Sequence, residues 1–142
     1  MQISKYISEE EYRCPHCHQL PVGFDPGNLN IARRTTLYGF DAIRVEWGRP
    51  LPISRGGGYR CATHNQLING APLSAHQFGV ALDIDVSSID EVEQLAQLIE
   101  SLFPDFRRGE YTERGTFVHL DTAYLIQPKA TVLWNEGRRW IG

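Results

Sequence analysis

The stretch S-A-H-Q-F-G-V-A-L-D at residues 74–83 decides the fold of this 142-residue chain, together with T-F-V-H-L-D at 116–121. Apolar and polar residues alternate on both sides of Asp83, which predicts a strand. The same alternation around His119 predicts a second strand, with His119 and Asp121 on one face. If these strands are neighbours in a sheet, their polar faces bring Asp83 and His119 together.

His76, Asp83 and His119 form a candidate set of metal ligands. Gly79 lets the backbone bend between His76 and the strand of Asp83, so that a turn and a strand direct two ligands at one point. Two histidines and a carboxylate can hold one tetrahedral Zn²⁺ and leave its fourth position for water, which is typical of catalytic rather than structural sites. The pattern therefore indicates a zinc hydrolase.

The same residues resemble the motifs of a known family. The pattern S-x-H-x-x-G-x-A-x-D followed by H-x-D is similar to that of the D-alanyl-D-alanine carboxypeptidase-like zinc peptidases. These share a fold with the hedgehog amino-terminal signalling domain and with murein endopeptidases of bacteria and phages. Upstream, G-Y-R-C-A-T-H-N at 58–65 is similar to the family's S-G-Y-R-x-x-x-x-N, and the resemblance covers roughly residues 10 to 125. Several fixed positions agree at once, which makes the motif specific.

The resemblance implies a role for each matching residue. It implies that the two histidines and Asp83 bind zinc, that Arg60 steadies the oxyanion of the tetrahedral intermediate, and that Ser74 and Gln77 line the substrate cleft. A guanidinium suits the oxyanion because it stays charged and presents a fixed fork of donors. The loop before it departs from the family's pattern, reading S-R-G-G-G-Y-R at 54–60. We therefore expect a longer or more mobile loop.

The general base is the second departure. Other members carry Glu or Asp three residues before the third ligand, where this chain has Thr116. Glu113 and Asp121 are the candidate replacements, and we favour Glu113 because hedgehog-type members carry a glutamate about that far upstream. Asp121 is then expected to orient a histidine ligand. Tyr111 is a candidate hydroxyl donor to the substrate, with core packing as its alternative role.

Three cysteines leave their chemical state open. Cys14 and Cys17 have C-x-x-C spacing, and Cys61 directly follows Arg60. A structural metal, a disulfide and free thiols are all compatible with this pattern. Family members often have cysteines near these places, which implies that the N-terminal segment is tied to the loop of Arg60. Redox catalysis is not indicated, because the C-x-x-C does not open a helix after a strand.

Composition and charge exclude several classes of protein. With 42% hydrophobic and 22% charged residues, the chain is typical of a globular domain, and its net charge of −3 disfavours nucleic acid as a partner. No segment has the apolar length of a membrane span, and residues 1–12 lack the apolar core of a signal peptide. We expect a monomer made in the cytoplasm without a signal peptide. Two sites of action remain compatible with the sequence: the cell wall after phage-type release, and recycled wall peptides in the cytoplasm.

The rest of the sequence predicts the scaffold. We expect one domain over 1–142, with an N-terminal segment at 1–27 packed on it, and an α+β fold in which helices cover one face of a small antiparallel sheet. The two tail tryptophans are interpreted as packing anchors. Helical spacing and capping residues predict helices starting at Ser8 and covering 28–47, 62–69 and 88–102, and a short strand is expected at 51–54.

Together these features predict a zinc-dependent peptidase that hydrolyses amide bonds next to D-amino acids in peptidoglycan stem peptides. Whether it acts as a carboxypeptidase or an endopeptidase depends on loops whose specificity the sequence does not display. The alternative is a non-catalytic, zinc-containing module that binds peptidoglycan or protein, because the usual acid before His119 is absent.

Overall fold

The computed structural model describes all 142 residues and has the expected α+β architecture. Short elements surround a four-stranded sheet. The helices are α1 (Glu9–Tyr12), α2 (Ile31–Trp47), α3 (Ala62–Leu67) and α4 (Ile89–Leu102); the strands are β1 (Ala81–Asp85), β2 (Arg107–Tyr111), β3 (Phe117–Asp121) and β4 (Arg139–Ile141). Two short 3₁₀ turns complete the fold: Ala75–Phe78 directly precedes β1, and Ala123–Leu125 directly follows β3.

The sheet has the strand order β1-β3-β2-β4. The first three strands pair antiparallel, as expected, whereas β4 pairs parallel to β2 and makes the sheet mixed. The strand predicted at 51–54 is reduced to one bridge between Ile53 and Ile84, because only Ile53 there pairs with β1. No helix of the protein combines the length and apolar character needed to cross a membrane.

Helix boundaries follow local capping chemistry. The Asn30 side chain accepts a hydrogen bond from the N–H of Arg33, so α2 begins at Ile31 rather than at residue 28. Gly48, in the left-handed conformation with φ of 83°, ends the same helix. Ser8 caps α1 through a complete capping box with Glu11, as the sequence predicts. The scaffold is thus specified largely by residues at helix ends.

The alternation of β1 and β3 separates a core face from a polar face. Leu82, Ile84, Val118 and Leu120 are fully buried in the main hydrophobic cluster, together with residues of α2 and α4. Ile3, Ile7 and Tyr12 of the N-terminal segment belong to the same cluster. Burial of this many apolar side chains is the main favourable contribution to folding, at roughly 25 cal/mol per Å² of apolar surface.

The polar face is arranged in rows across the strands. Asp83 pairs with His119, His119 with Gly109, and Gly109 with Trp140, which makes one row over all four strands. A Cβ atom at Gly109 would lie 2.4 Å from Trp140 Nε1, so the indole occupies the space that a side chain there would need. The sheet therefore places an aromatic ring beside the two candidate ligands.

Candidate metal centre

His76 is held by a tight turn beside β1. The Ser74 side chain accepts a hydrogen bond from the N–H of His76, and Gly79, with φ of 73°, ends the turn. A Cβ atom at Gly79 would lie 2.5 Å from the Tyr12 hydroxyl, which donates to the carbonyl of the same glycine. The turn therefore requires glycine for conformation and for space.

Asp83 Oδ1 is the point at which the three candidate ligands meet. It lies 2.9 Å from His119 Nδ1 and 3.3 Å from His76 Nε2. Ligands bound to zinc at about 2.0–2.1 Å in a tetrahedron stand about 3.3 Å apart. The contact with His76 equals such an edge, and the contact with His119 is a few tenths of an ångström shorter. The three residues are buried and grouped without any rearrangement of the backbone.

The hydrogen bonds of the two histidines orient the opposite ring nitrogens toward Asp83. His76 Nδ1 lies 2.8 Å from the carbonyl oxygen of Gly58, and His119 Nε2 lies 2.6 Å from Asp121 Oδ2. Each contact favours a proton on that nitrogen, so the opposite nitrogen, which faces Asp83, is the one that can bind a metal ion. His76 Nε2 is buried and makes no hydrogen bond. Such an orphaned acceptor beside a carboxylate fits a cation, and the donor set fits zinc.

The electrostatics of the metal-free site show the same need for positive charge. Burial would raise the pKa of Asp83, but His76 and His119 outweigh it and hold that pKa far below its ordinary value. Burial would lower the pKa of His119, but hydrogen bonds to Asp121 and Asp83 raise it to about 9. Burial lowers the pKa of His76. In the absence of metal, a proton on His119 therefore balances the carboxylates.

Asp121 fixes His119 from the side opposite Asp83. Its Oδ2 accepts from His119, and its Oδ1 accepts from the backbone N–H of Ala123 at 3.0 Å and lies 3.3 Å from Arg107 Nη1. Both carboxylate oxygens are engaged, and the residue is fully buried. This is the position of a carboxylate that orients a histidine ligand.

Arg60 binds the second oxygen of the same aspartate. Its Nη2 donates to Asp83 Oδ2 at 3.1 Å, Nε donates to the Gly56 carbonyl at 2.9 Å, and Nη1 donates to Asn65 Oδ1 at 3.4 Å. A guanidinium carries five N–H groups, so donors remain for a substrate. Arg60 is thus fixed by the glycine loop and stands at the metal centre.

A cavity of about 300 Å³ opens above the three ligands. Ser74 and Tyr111 line it, as predicted for the substrate cleft, whereas Gln77 and Glu113 do not. Glu113 is exposed in the turn between β2 and β3. The lining consists of Arg60, Ala71, Pro72, Leu73, Ser74, Ala75, His76, Asp83, Arg107, Tyr111, Phe117, His119, Asp121, Thr131, Leu133, Trp134 and Trp140.

Two lining residues were not anticipated as parts of the site. Arg107 is buried, and its Nε and Nη1 lack hydrogen-bond partners. Trp140 lies with its ring centroid 5.2 Å from that of His119, and its Nε1 donates to the Tyr111 hydroxyl at 2.7 Å. Strand β2 reads R-R-G-E-Y, and its charged residues hide the apolar alternation by which a strand is recognised. Trp134 is buried against Phe78, in agreement with a packing role.

Comparison with known proteins agrees with this geometry. The sequence profile described as Peptidase M15 matches residues 6–121, which include all three candidate ligands and Arg60. No curated protein matches the chain significantly. M15 peptidases depend on zinc, and the matched region brings His76, Asp83 and His119 into one group suited to a metal ion. The chain belongs to the M15 family of zinc metallopeptidases.

Proposed function

We propose that the protein hydrolyses peptidoglycan stem peptides at an amide bond next to a D-amino acid. The observation that carries the proposal is the convergence of three ligand atoms, His76 Nε2, Asp83 Oδ1 and His119 Nδ1, on the floor of an open cavity. A zinc ion held there would polarise the scissile carbonyl and lower the pKa of the attacking water. Membership of the M15 family indicates a zinc peptidase, and the class of substrate is our proposal.

Arg60 is the candidate group for the developing oxyanion. Its Nη2 already donates to Asp83, so the guanidinium stands beside the ligand set at which the carbonyl of a bound peptide would react. The bond from Nε to Gly56 and the bond from Nη1 to Asn65 hold the plane of the guanidinium fixed. A donor that is fixed before the reaction needs no reorganisation when negative charge develops.

Glu113 is the candidate general base, acting from the rim of the site. Both carboxylates that line the cavity are engaged, Asp83 as a ligand and Asp121 with His119. Glu113 makes no ion pair, and its turn runs from Tyr111, which lines the cavity, to Arg114, which lines an adjoining cavity. For Glu113 to take a proton from the attacking water, this turn would have to move toward the metal centre.

The cavity wall suits a short peptide with a carboxylate. Arg107 lines the cavity; its Nη1 lies 3.3 Å from Asp121 Oδ1, but neither Nε nor Nη1 makes a hydrogen bond, and a guanidinium in this state gains most from a charged acceptor. Tyr111 stacks on Phe117 with ring centroids 4.5 Å apart, and Trp140 continues this apolar wall. A terminal or side-chain carboxylate of a stem peptide would pair with Arg107 while its methyl groups contact the aromatic wall.

The experiment is hydrolysis of defined stem peptides by the zinc-loaded protein. Synthetic peptides ending in D-Ala-D-Ala and isolated cross-linked muropeptides are incubated with the wild-type protein and with His119→Ala, and products are identified by mass spectrometry. Released D-alanine indicates a carboxypeptidase, and split stems indicate an endopeptidase. Equal cleavage of peptides ending in L-Ala-L-Ala would contradict the proposed specificity.

A second candidate function is a zinc-containing module that binds wall peptides without cleaving them. The observation that favours it is that no unengaged carboxylate lines the central cavity. Calorimetric titration of the same peptides distinguishes the two functions. Zinc-dependent binding without any product after prolonged incubation would support the module, whereas turnover would exclude it.

A further inference from the structure

Three cysteines from two separate segments meet on the opposite side of the Arg60 loop. Cys14 and Cys17 lie in the turn after α1, and Cys61 is the residue before α3. Their sulfur atoms all lie within 4.8 Å of one another, and none is in a disulfide. Cys14 is fully buried, and the other two are half-buried. The proposed mechanism uses none of them.

The backbone around these sulfurs is arranged for thiolates. The turn from Cys14 is closed by a hydrogen bond from His18 N–H to the Cys14 carbonyl at 2.9 Å, with His18 in the left-handed conformation at φ of 59°. The Cys61 sulfur accepts from the N–H of His64 at 3.4 Å. Donors of this kind stabilise negatively charged sulfur.

We propose that Cys14, Cys17 and Cys61 bind a second zinc ion with a structural role. Three sulfurs that converge satisfy three positions of a tetrahedral ion, whereas a disulfide would use two and leave one unpaired. Thiolates this close repel one another unless a cation lies between them. Soft thiolate ligands select zinc over the hard divalent cations. No histidine or carboxylate belongs to the group, so the fourth ligand comes from outside it.

The proposed ion would join the N-terminal segment to the loop that presents Arg60. Cys61 directly follows Arg60, and the N–H of Tyr59 donates to the Tyr12 carbonyl at 2.7 Å. The sulfur cluster and this backbone contact therefore fix the loop on both sides of Arg60. The second ion is thus expected to hold Arg60 in position without touching the substrate.

Metal counting tests this proposal independently of any hydrolysis. Elemental analysis should give about two zinc ions per wild-type chain, about one in Cys17→Ser, about one in His119→Ala, and none in the double variant. Thr63→Ala is the matched control, because Thr63 is exposed in α3 two residues from Cys61 and carries no zinc-ligating side chain. A wild-type protein with one zinc that Cys17→Ser retains would overturn the proposal.

Cobalt substitution identifies the ligands. Cobalt-loaded His119→Ala should show the intense near-ultraviolet absorption of cobalt–thiolate bonds, and the double variant should lose it. Should Cys17→Ser fail to fold, the wild-type protein decides: its three thiols should resist a thiol reagent until a chelator removes the metal. Thiols that react equally fast with and without chelator, or an intact mass lower by two hydrogens, would contradict the assignment.

Discussion

The two clusters of metal-ligating residues are built in different ways. In the histidine–aspartate cluster, defined by His76, Asp83 and His119, two ligands are strand partners and each histidine has a second hydrogen-bond partner. In the cysteine cluster, defined by Cys14, Cys17 and Cys61, the ligands come from a turn and from a helix cap and join segments distant in sequence. The sheet therefore holds the histidine–aspartate cluster in place before any metal binds, whereas a metal in the cysteine cluster would hold its surrounding loops in place. Loss of metal should therefore affect chemistry in the first and geometry in the second.

The largest expected effect separates the two clusters by activity. His119→Ala removes a ligand and the zinc with it, and activity should fall by at least about 10⁴-fold because several kcal/mol of transition-state stabilisation are lost. Cys17→Ser should lower kcat by only about 10-fold, through a less well-fixed Arg60. Steady-state kinetics of both variants on one stem peptide make the measurement. Equal losses in both would show that the clusters are not functionally distinct.

The next effect tests Glu113, which we propose as the general base. Glu113→Gln should lower kcat by roughly 10²- to 10⁴-fold without releasing zinc, since an amide cannot accept the proton of the attacking water. Arg114→Gln changes the neighbouring residue of the same turn and is the matched control, for which little change in kcat is expected. A Glu113→Gln variant with wild-type kcat would remove Glu113 from the mechanism.

Arg60 lies between the two clusters, and its replacement tests whether it contributes to catalysis, to substrate binding or to metal binding. Arg60→Lys should lower kcat by roughly 10²-fold with KM and zinc content nearly unchanged, because a point charge cannot reproduce the fork of donors. An effect confined to KM would instead assign Arg60 to binding of the ground state. Loss of zinc would show that its bond to Asp83 mainly serves the metal centre.

Asp121 should affect metal binding more than chemistry. Asp121→Asn keeps the shape but weakens the hold on His119 Nε2, and zinc affinity of the histidine–aspartate cluster should fall by roughly 10- to 100-fold. Competition with a chelator in the Cys17→Ser background measures this affinity alone. A large loss of kcat at saturating zinc would instead reassign the general base to Asp121.

The smallest expected effect is the release of a proton when zinc binds. The pKa of His119 is raised from its ordinary 6.5 to about 9 in the metal-free protein, so metal binding at pH 7 must displace a proton. On zinc loading of Cys17→Ser, the His119 ring should release about one proton at pH 7 and about a quarter of a proton at pH 9.5, as followed with a pH indicator in weak buffer after allowing for ionisation of zinc-bound water. The same raised pKa stabilises the metal-free fold fully below pH 6.5, and this contribution is lost as the pH rises through 9. Proton release that does not change with pH would contradict this assignment.

Most of the histidine–aspartate cluster could be predicted from the sequence, because its geometry follows from local rules. Alternation placed Asp83 and His119 on polar strand faces, and their pairing is confirmed by the register of β1 and β3. The α+β class is confirmed as well. Helices α1, α2 and α4 are specified by caps that local sequence displays.

Other parts required tertiary information. Strand β2 carries two arginines that the sheet buries beside Asp121 and Glu100, and no local pattern shows that those partners exist. Strand β4 pairs in parallel from the far end of the chain, so its Trp140 reaches His119 only through the fold. Likewise the convergence of Cys61 with the C-x-x-C turn is a contact between distant segments, which spacing alone does not reveal.

The hydrogen bond from His76 to the Gly58 carbonyl changes where the site is vulnerable to mutation. A side-chain partner can be lost by one substitution, as at Asp121, but a backbone carbonyl is present whatever residue occurs there. What mutation can disturb is instead the position of this backbone. A Cβ atom at Gly58 would lie 2.5 Å from the Tyr12 carbonyl oxygen and would force the two segments apart. A single substitution at Asp121 therefore removes the partner of His119, whereas the partner of His76 is lost only if the backbone at Gly58 moves.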